Sequence, residues 1–257
     1  MRWEWIVLGY VTYLASVAAI ARRFQRARAP ALAAAFAAWT VWAMARDVPR
    51  SITIEILLPA ACLLAGYWLS GLFVVAPMVH LERWLLRIDE RTGVLHVAWP
   101  RVVRDYFELA YVLVYAVVPA GAITLAIGGH ADAVPPFWSV VLLAEFISYG
   151  MLPWLQTRPP RAIESTNDRP HRTPALRRFN LAVLGRASIQ ANTLPSGHAA
   201  GAVASALAVA TVMPAAGAVF LAIAASIAIA TVIGRYHYIV DSVLGVVVAM
   251  GAWSLLR

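Results

Sequence analysis

Lysine is absent: all 21 basic residues of this 257-residue chain are arginine. A lysine nucleophile, a Schiff base and a phosphate-loop lysine are thereby excluded. The single cysteine, Cys62, sits inside an apolar run, so no disulfide framework exists and the redox compartment cannot be read from it. Charge is also scarce, at 13% of residues, where soluble domains average about 25%. Hydrophobic residues make up 61% and the mean hydropathy is +0.72. An ordinary soluble domain is excluded, as are disorder and a collagen-like chain. The net charge of +8 does not lead to nucleic acid. The arginines fall in loops between apolar runs, where they contact anionic headgroups and set topology.

What is present is a series of long apolar runs, at 3–21, 30–45, 54–79, 107–127, 137–155, 198–213, 215–233 and 239–256. Their lengths suit helices crossing a hydrocarbon layer about 30 Å thick. The sequence therefore predicts an all-α, multi-pass membrane bundle of eight spans, or seven if the short, alanine-rich second run does not cross. The first run is long and Arg2 is balanced by Glu4, which favours a retained span over a signal peptide. Within 80–92, Leu81, Trp84, Leu85 and Ile88 follow helical spacing, with Arg83, Arg87 and Arg91 elsewhere on the helix. That pattern predicts an amphipathic helix lying on the membrane surface as an anchor. The stretch 156–194 is the most polar loop.

Three clusters bring reactive residues to the ends of apolar runs: Thr157-Arg158-Pro159-Pro160-Arg161, Pro195-Ser196-Gly197-His198 and Gly234-Arg235-Tyr236-His237-Tyr238-Ile239-Val240-Asp241. The order of the spans puts all three on one membrane face. His237 and Asp241 are four apart, so on a helix the carboxylate reaches one imidazole nitrogen and leaves the other free. A Pro-Ser-Gly helix start offers unpaired backbone amides to an anion, and His198 there can protonate a leaving oxygen. Arg158, Arg161 and Arg235 offer forked donors to phosphate oxygens. Each piece alone has an ordinary structural explanation; together they describe a phosphoryl-transfer site. No His, Cys or carboxylate set has metal spacing, and His80, His96, His130 and His171 stand apart. Glu145, the one acid near the middle of an apolar run, is costly there; it either takes part in headgroup binding or proton relay, or makes a structural hydrogen bond.

Pro195-Ser196-Gly197-His198, with Arg158-Pro159 before it and His237-x-x-x-Asp241 after it, resembles the type-2 phosphatidic acid phosphatase superfamily. Lipid phosphate phosphatases, polyprenyl diphosphate phosphatases, vanadium haloperoxidases and an inositol phosphorylceramide synthase branch belong to it. The resemblance implies a six-helix core over 54–257, with the two spans of 1–53 outside it. It further implies that His237 attacks phosphorus, Asp241 orients it, and His198 protonates the leaving alkoxide and then activates water or an alcohol. Arg158, Ser196 and the Gly197 amide would hold the phosphate. Two positions depart from the pattern: Met151 stands where the family's first motif often has lysine, and Ala230-Thr231 where its third usually has serine-arginine. Arg235 is the nearest substitute. On a continuous helix it would point about 200° away from His237, so it binds phosphate only if the backbone there is not helical.

The expected activity is hydrolysis of a lipid phosphate monoester or diphosphate through a phosphohistidine, with no cofactor and no metal. The alternative is a phosphotransferase moving a phosphoryl headgroup to an alcohol; a non-enzymatic transporter is the third reading. Expected partners are a phospholipid or polyprenyl phosphate substrate and membrane lipids, with no nucleic acid and no obligatory protein partner. The cell membrane is the expected location. Only Arg2, Arg46, Arg50 and Arg257 fall on the face opposite the site. The positive-inside rule then places the site in the cytoplasm, whereas the resembled family works mostly on the periplasmic or lumenal face.

Overall fold

The computed structural model describes residues 2–93, 97, 99–163 and 175–257; His96 and His171 lie outside them. The chain is an all-α bundle. In order, the helices are α1 (Trp3–Ile20), α2 (Gln25–Ala45), α3 (Ile52–Gly71), α4 (Val79–Arg91), α5 (Arg101–Val112), α6 (Val114–Ile127), α7 (Val134–Gly150), α8 (Pro160–Ile163), α9 (Ala175–Ala187), α10 (Gly197–Val212), α11 (Pro214–Ile233) and α12 (Ile239–Leu256). Among the described residues there is no strand, only one isolated bridge between Thr157 and Asn192.

Five helical stretches among the described residues are long and apolar enough to cross a membrane: α1, α3, Ala131–Gly150 ending in α7, α11 and α12. The bent pair α5–α6 makes a sixth. Its outward side chains fit a lipid surround: Phe36, Val219, Val247 and Leu255 are all more than half exposed, a pattern water would not tolerate over so much surface.

The expected second and sixth spans, α2 and the 16-residue α10, are not among these crossing helices, and two others differ in outline. The run 54–79 does not stay helical, because α3 stops at Gly71. Gln156 takes over the backbone beyond it: its Oε1 accepts from Val75 N (2.7 Å) and Ala76 N (3.1 Å), and its Nε2 donates to Phe73 O (2.7 Å). The run 107–127 begins earlier, at Arg101, and bends by 54° where α5 meets α6. Arg101, Arg104, Asp105 and Glu108 keep α5 on the polar side of the bundle, while α6 is apolar and enters it.

α10 is the hub, packing against α6, α7, α11 and α12. Small residues permit this. A Cβ on Gly201 would collide with the Glu145 carboxyl, and one on Gly217 with the backbone of Ala210. A Cβ on Gly245 would lie 2.5 Å from Ser196 O, so glycine is what lets α12 reach the start of α10. At 16 residues, α10 is only about 24 Å long, shorter than the hydrocarbon thickness of a bilayer. α1 joins the same core: the Tyr10 ring stacks on Phe146 at 4.1 Å, and Tyr13 donates to Gly150 O at 2.6 Å.

Candidate active site

α11 ends at Ile233 with Gly234 as its cap, and Arg235 turns the chain with a left-handed φ of 59°. Thr231 O accepts from both Tyr236 N and His237 N at 2.9 Å, which swings His237 back under the bundle. Tyr238 then caps α12. His237 and Asp241 therefore do not share a continuous helix, contrary to the spacing argument. Asp241 is the third residue of α12, and its carboxylate accepts from Tyr238 N at 3.0 Å. The same capping turn brings His237 Nδ1 to 3.5 Å from Asp241 Oδ2. Oδ2 also accepts from Asn192 Nδ2 at 2.7 Å, and Asp241 O accepts from Ser196 N at 2.9 Å. One residue thus ties together the starts of α10 and α12 and the strand-like segment before α10.

The other nitrogen of His237, Nε2, lies 3.4 Å from His198 Nδ1. His198 occupies the first turn of α10, its Nε2 3.2 Å from the Tyr111 hydroxyl. The Tyr111 ring stacks on Tyr236 at 3.7 Å between centroids. These groups wall a polar chamber of about 40 Å³, together with Pro159, Arg161, Asn192 and Thr193. Burial pushes the His237 imidazole down to about 3, with the Arg161 guanidinium adding to the effect. At neutral pH the ring is uncharged, with Nε2 available as a nucleophile.

The helix-start amides are less open than a bare Pro-Ser-Gly start suggests. Gly197 N donates to Thr193 Oγ1 (3.2 Å), and Ala199 N to Ser196 Oγ (3.3 Å). Both acceptors are hydroxyls that can rotate away to admit an anion. Ser196 itself is fully buried.

The arginines divide. Arg161 lines the chamber, its guanidinium 5.3 Å from the Tyr236 ring centroid. Arg158 is held by α4 instead: Glu82 Oε1 accepts from its N (2.7 Å) and Nε (3.0 Å), and Oε2 from its Nη2 (2.8 Å). Those bonds hold the Glu82 carboxyl below the usual range. Arg235 has the non-helical backbone that phosphate binding required, yet its Nη1 donates to Asp89 Oδ2 at 2.8 Å. Asp89 Oδ1 accepts from Ile239 N at 3.0 Å. Burial nonetheless pushes the Asp89 carboxyl up. The inner face of α4 therefore centres on Glu82, Leu85 and Asp89, while Trp84 points outward. Sequence reasoning placed an apolar stripe there and missed both acids. Their spacing of seven residues, opposite two arginine motifs, was the available signal.

Tyr111, Asn192 and Tyr236 were also missed. Glu108 fixes Tyr236 by accepting from its hydroxyl (2.6 Å), from Arg177 Nη1 (2.7 Å) and from Asn180 Nδ2 (2.7 Å). Glu145 lies one helical turn from Tyr149, buried against α10 and beside His198 in an adjoining groove. Among the described residues, no group of three or more His, Cys, Asp or Glu side chains is placed to hold a metal ion.

Residues 136–257 match the PAP2 superfamily.

No curated protein and no solved structure matches the chain. The PAP2 match starts inside α7 and takes in Arg158, Arg161, His198, His237 and Asp241; α4, which supplies Glu82 and Asp89, precedes it. The match spans just under half of the chain.

Two outcomes follow from the charges. Replacing Arg235 with Gln removes a cation from fully buried Asp89, at a cost of about 3 kcal/mol. Burial raises the Asp89 carboxyl above its ordinary range even beside Arg235; without that cation the folded state disfavours the charged form more strongly than the unfolded chain does. Stability is therefore lost as pH rises. Arg235→Gln should show a larger fall in Tm at pH 8 than at pH 5, and adding Asp89→Asn should remove that pH dependence. At the chamber, Arg161 disfavours the His237 imidazolium. Arg161→Gln should move the acid limb of the kcat/KM profile to higher pH and raise KM about tenfold. An unmoved or lowered limb would exclude Arg161 from the site.

Proposed function

We propose that the chain hydrolyses a lipid phosphate monoester or diphosphate at the bundle's polar end. One observation carries this reading. The polar chamber shares Tyr67, Tyr149, Leu184, Ser188 and His198 with an apolar groove of about 320 Å³. Leu64, Trp68 and Tyr115, all well exposed, line that groove, so it opens onto the lipid-facing surface. A substrate with an anionic head and a hydrocarbon tail fills both spaces at once.

In the proposed reaction, His237 Nε2 attacks phosphorus while the bond to the lipid oxygen breaks. His198, in its protonated form, gives that oxygen its proton through Nδ1, the nitrogen facing the chamber. Tyr111 occupies Nε2 and fixes the ring. Water then passes a proton to His198 as its oxygen attacks the phosphohistidine, releasing phosphate and regenerating His237. Arg161 balances charge on the phosphoryl oxygens. Asp241 holds the His237 ring, and Asn192 holds Asp241. Arg158, Arg235, Ser196 and the Gly197 amide reach the phosphate only by leaving their present partners.

The test is product analysis with purified enzyme in excess chelator, presenting phosphatidic acid and polyprenyl diphosphates in turn. Free phosphate should appear, and His237→Ala should abolish its release with the fold intact. Appearance of a second phospholipid without phosphate would establish the transferase; turnover by His237→Ala, or dependence on a divalent ion, would overturn the mechanism. The arginine bias further supports a site on the cytoplasmic face. In a Cys62→Ala background, an impermeant thiol reagent on intact cells should label Asp132→Cys and not Gln190→Cys. The reverse pattern would refute the assignment.

A further inference from the structure

The groove is not uniformly apolar. Glu145 and Trp138 line it from one face of α7, seven residues and so about 10 Å apart. Both are more than nine-tenths buried; Tyr149 hydrogen-bonds the Glu145 carboxyl, but its Oε2 and Trp138 Nε1 have no hydrogen-bond partner. An unpaired buried polar atom costs about 1–3 kcal/mol, and two in one groove are costly unless a ligand satisfies them. A hydrocarbon chain satisfies neither.

Position fixes which part of a lipid meets Glu145. The carboxyl packs against Gly197 and Gly201, in the first two turns of the helix that carries His198. A glycine at each of those positions is what admits it. Glu145 therefore faces the part of the substrate adjoining the phosphate, not the end of its tail. A hydroxyl is the group that suits a carboxyl in either protonation state, since it donates to an oxygen of the ionised form and can accept from the O–H of the protonated one. Trp138, deeper along the groove, offers an N–H to a carbonyl or hydroxyl further down the chain.

Resting on the lipid-phosphatase reading above, we infer that the groove selects a hydroxyl-bearing acyl lipid phosphate, with Glu145 contacting a hydroxyl close to the phosphate. A plain polyprenyl phosphate leaves Glu145 Oε2 and Trp138 Nε1 unpaired. Sites built to hydrogen-bond a substrate hydroxyl reject the analogue lacking it far more strongly than apolar pockets reject a change of one methylene.

The test compares 1-acylglycerol 3-phosphate with its 2-deoxy analogue of the same chain length, by kcat/KM for phosphate release. Wild-type enzyme should favour the hydroxyl substrate at least tenfold. Glu145→Leu, similar in size and apolar, should bring the ratio within threefold of unity, while Glu145→Gln, which keeps a hydrogen-bonding group, should retain a preference. If Glu145→Leu fails to fold, the comparison of Glu145→Gln with Glu145→Met serves in its place. Turnover of both lipids with a wild-type ratio near one, or a ratio that the variants leave unchanged, overturns the inference and leaves the phosphatase reading standing. Phosphate release from neither lipid, nor from any lipid phosphate, overturns both.

Discussion

The buried carboxylate of Asp241 is the interaction on which the arrangement of the site rests. It terminates α12 by accepting from Tyr238 N, accepts from Asn192, and lies against His237 Nδ1, while its own carbonyl receives Ser196 N. Three stretches distant in sequence are fixed relative to one another by a single residue. Asn192 extends the hub, because its Nδ2 also donates to Thr157 Oγ1 at 2.9 Å, just before the first arginine cluster. The close approach of α12 to α10 that this needs is supplied by Gly245 against Ser196. The histidine is thus aimed by a helix cap and not by the face of a helix.

Around that hub, positive charge is distributed by α4. Glu82 and Asp89 stand two turns apart on its inner face and take Arg158 and Arg235, one from the loop after α7 and the other from the turn before α12. The helix that lies across the bundle's polar end therefore fixes both segments carrying the motifs. Arg161 is the cation left facing the histidines, held near them by Arg235 O accepting from its N at 3.1 Å. Arg161 and Arg235 are consequently coupled through the backbone even though their side chains go to different places. A second buried carboxylate, Glu108, does the equivalent service for Tyr236, and through the Tyr236–Tyr111 stack for His198.

The chamber and the groove express the same physical division that makes the fold. α7 contributes apolar residues along its length and a carboxyl near its end, and α10 contributes little but glycine and alanine opposite. Small residues on α10 let the carboxyl in and let neighbouring helices close around it, in the manner of packing in lipid, where close approach replaces the hydrophobic drive. The result is a chamber in which His237 is buried, beside a groove that opens among the exposed Leu64, Trp68 and Tyr115.

Much of this was legible in the sequence, and the reason is physical. Apolar run length sets whether a helix can cross a bilayer, so the all-α membrane bundle follows from composition and spacing alone. His198, His237 and Asp241 announce themselves as reactive residues at helix starts, and the order of spans forces them onto one face. Spacing could not say how His237 meets Asp241, because a helix and a capping turn both bring residues four apart together. Nor could it say which arginine faces the histidines, since a guanidinium goes to whichever carboxylate the fold puts within reach. Glu82 and Asp89 lie some 70 to 150 positions from their arginines, a separation over which no local pattern carries information. Glu145 was visible as an anomaly in an apolar run, but only the packing of α7 on α10 put it beside His198. Residue type fixed what chemistry was on hand; burial and long-range charge pairing decided which groups are positioned to use it.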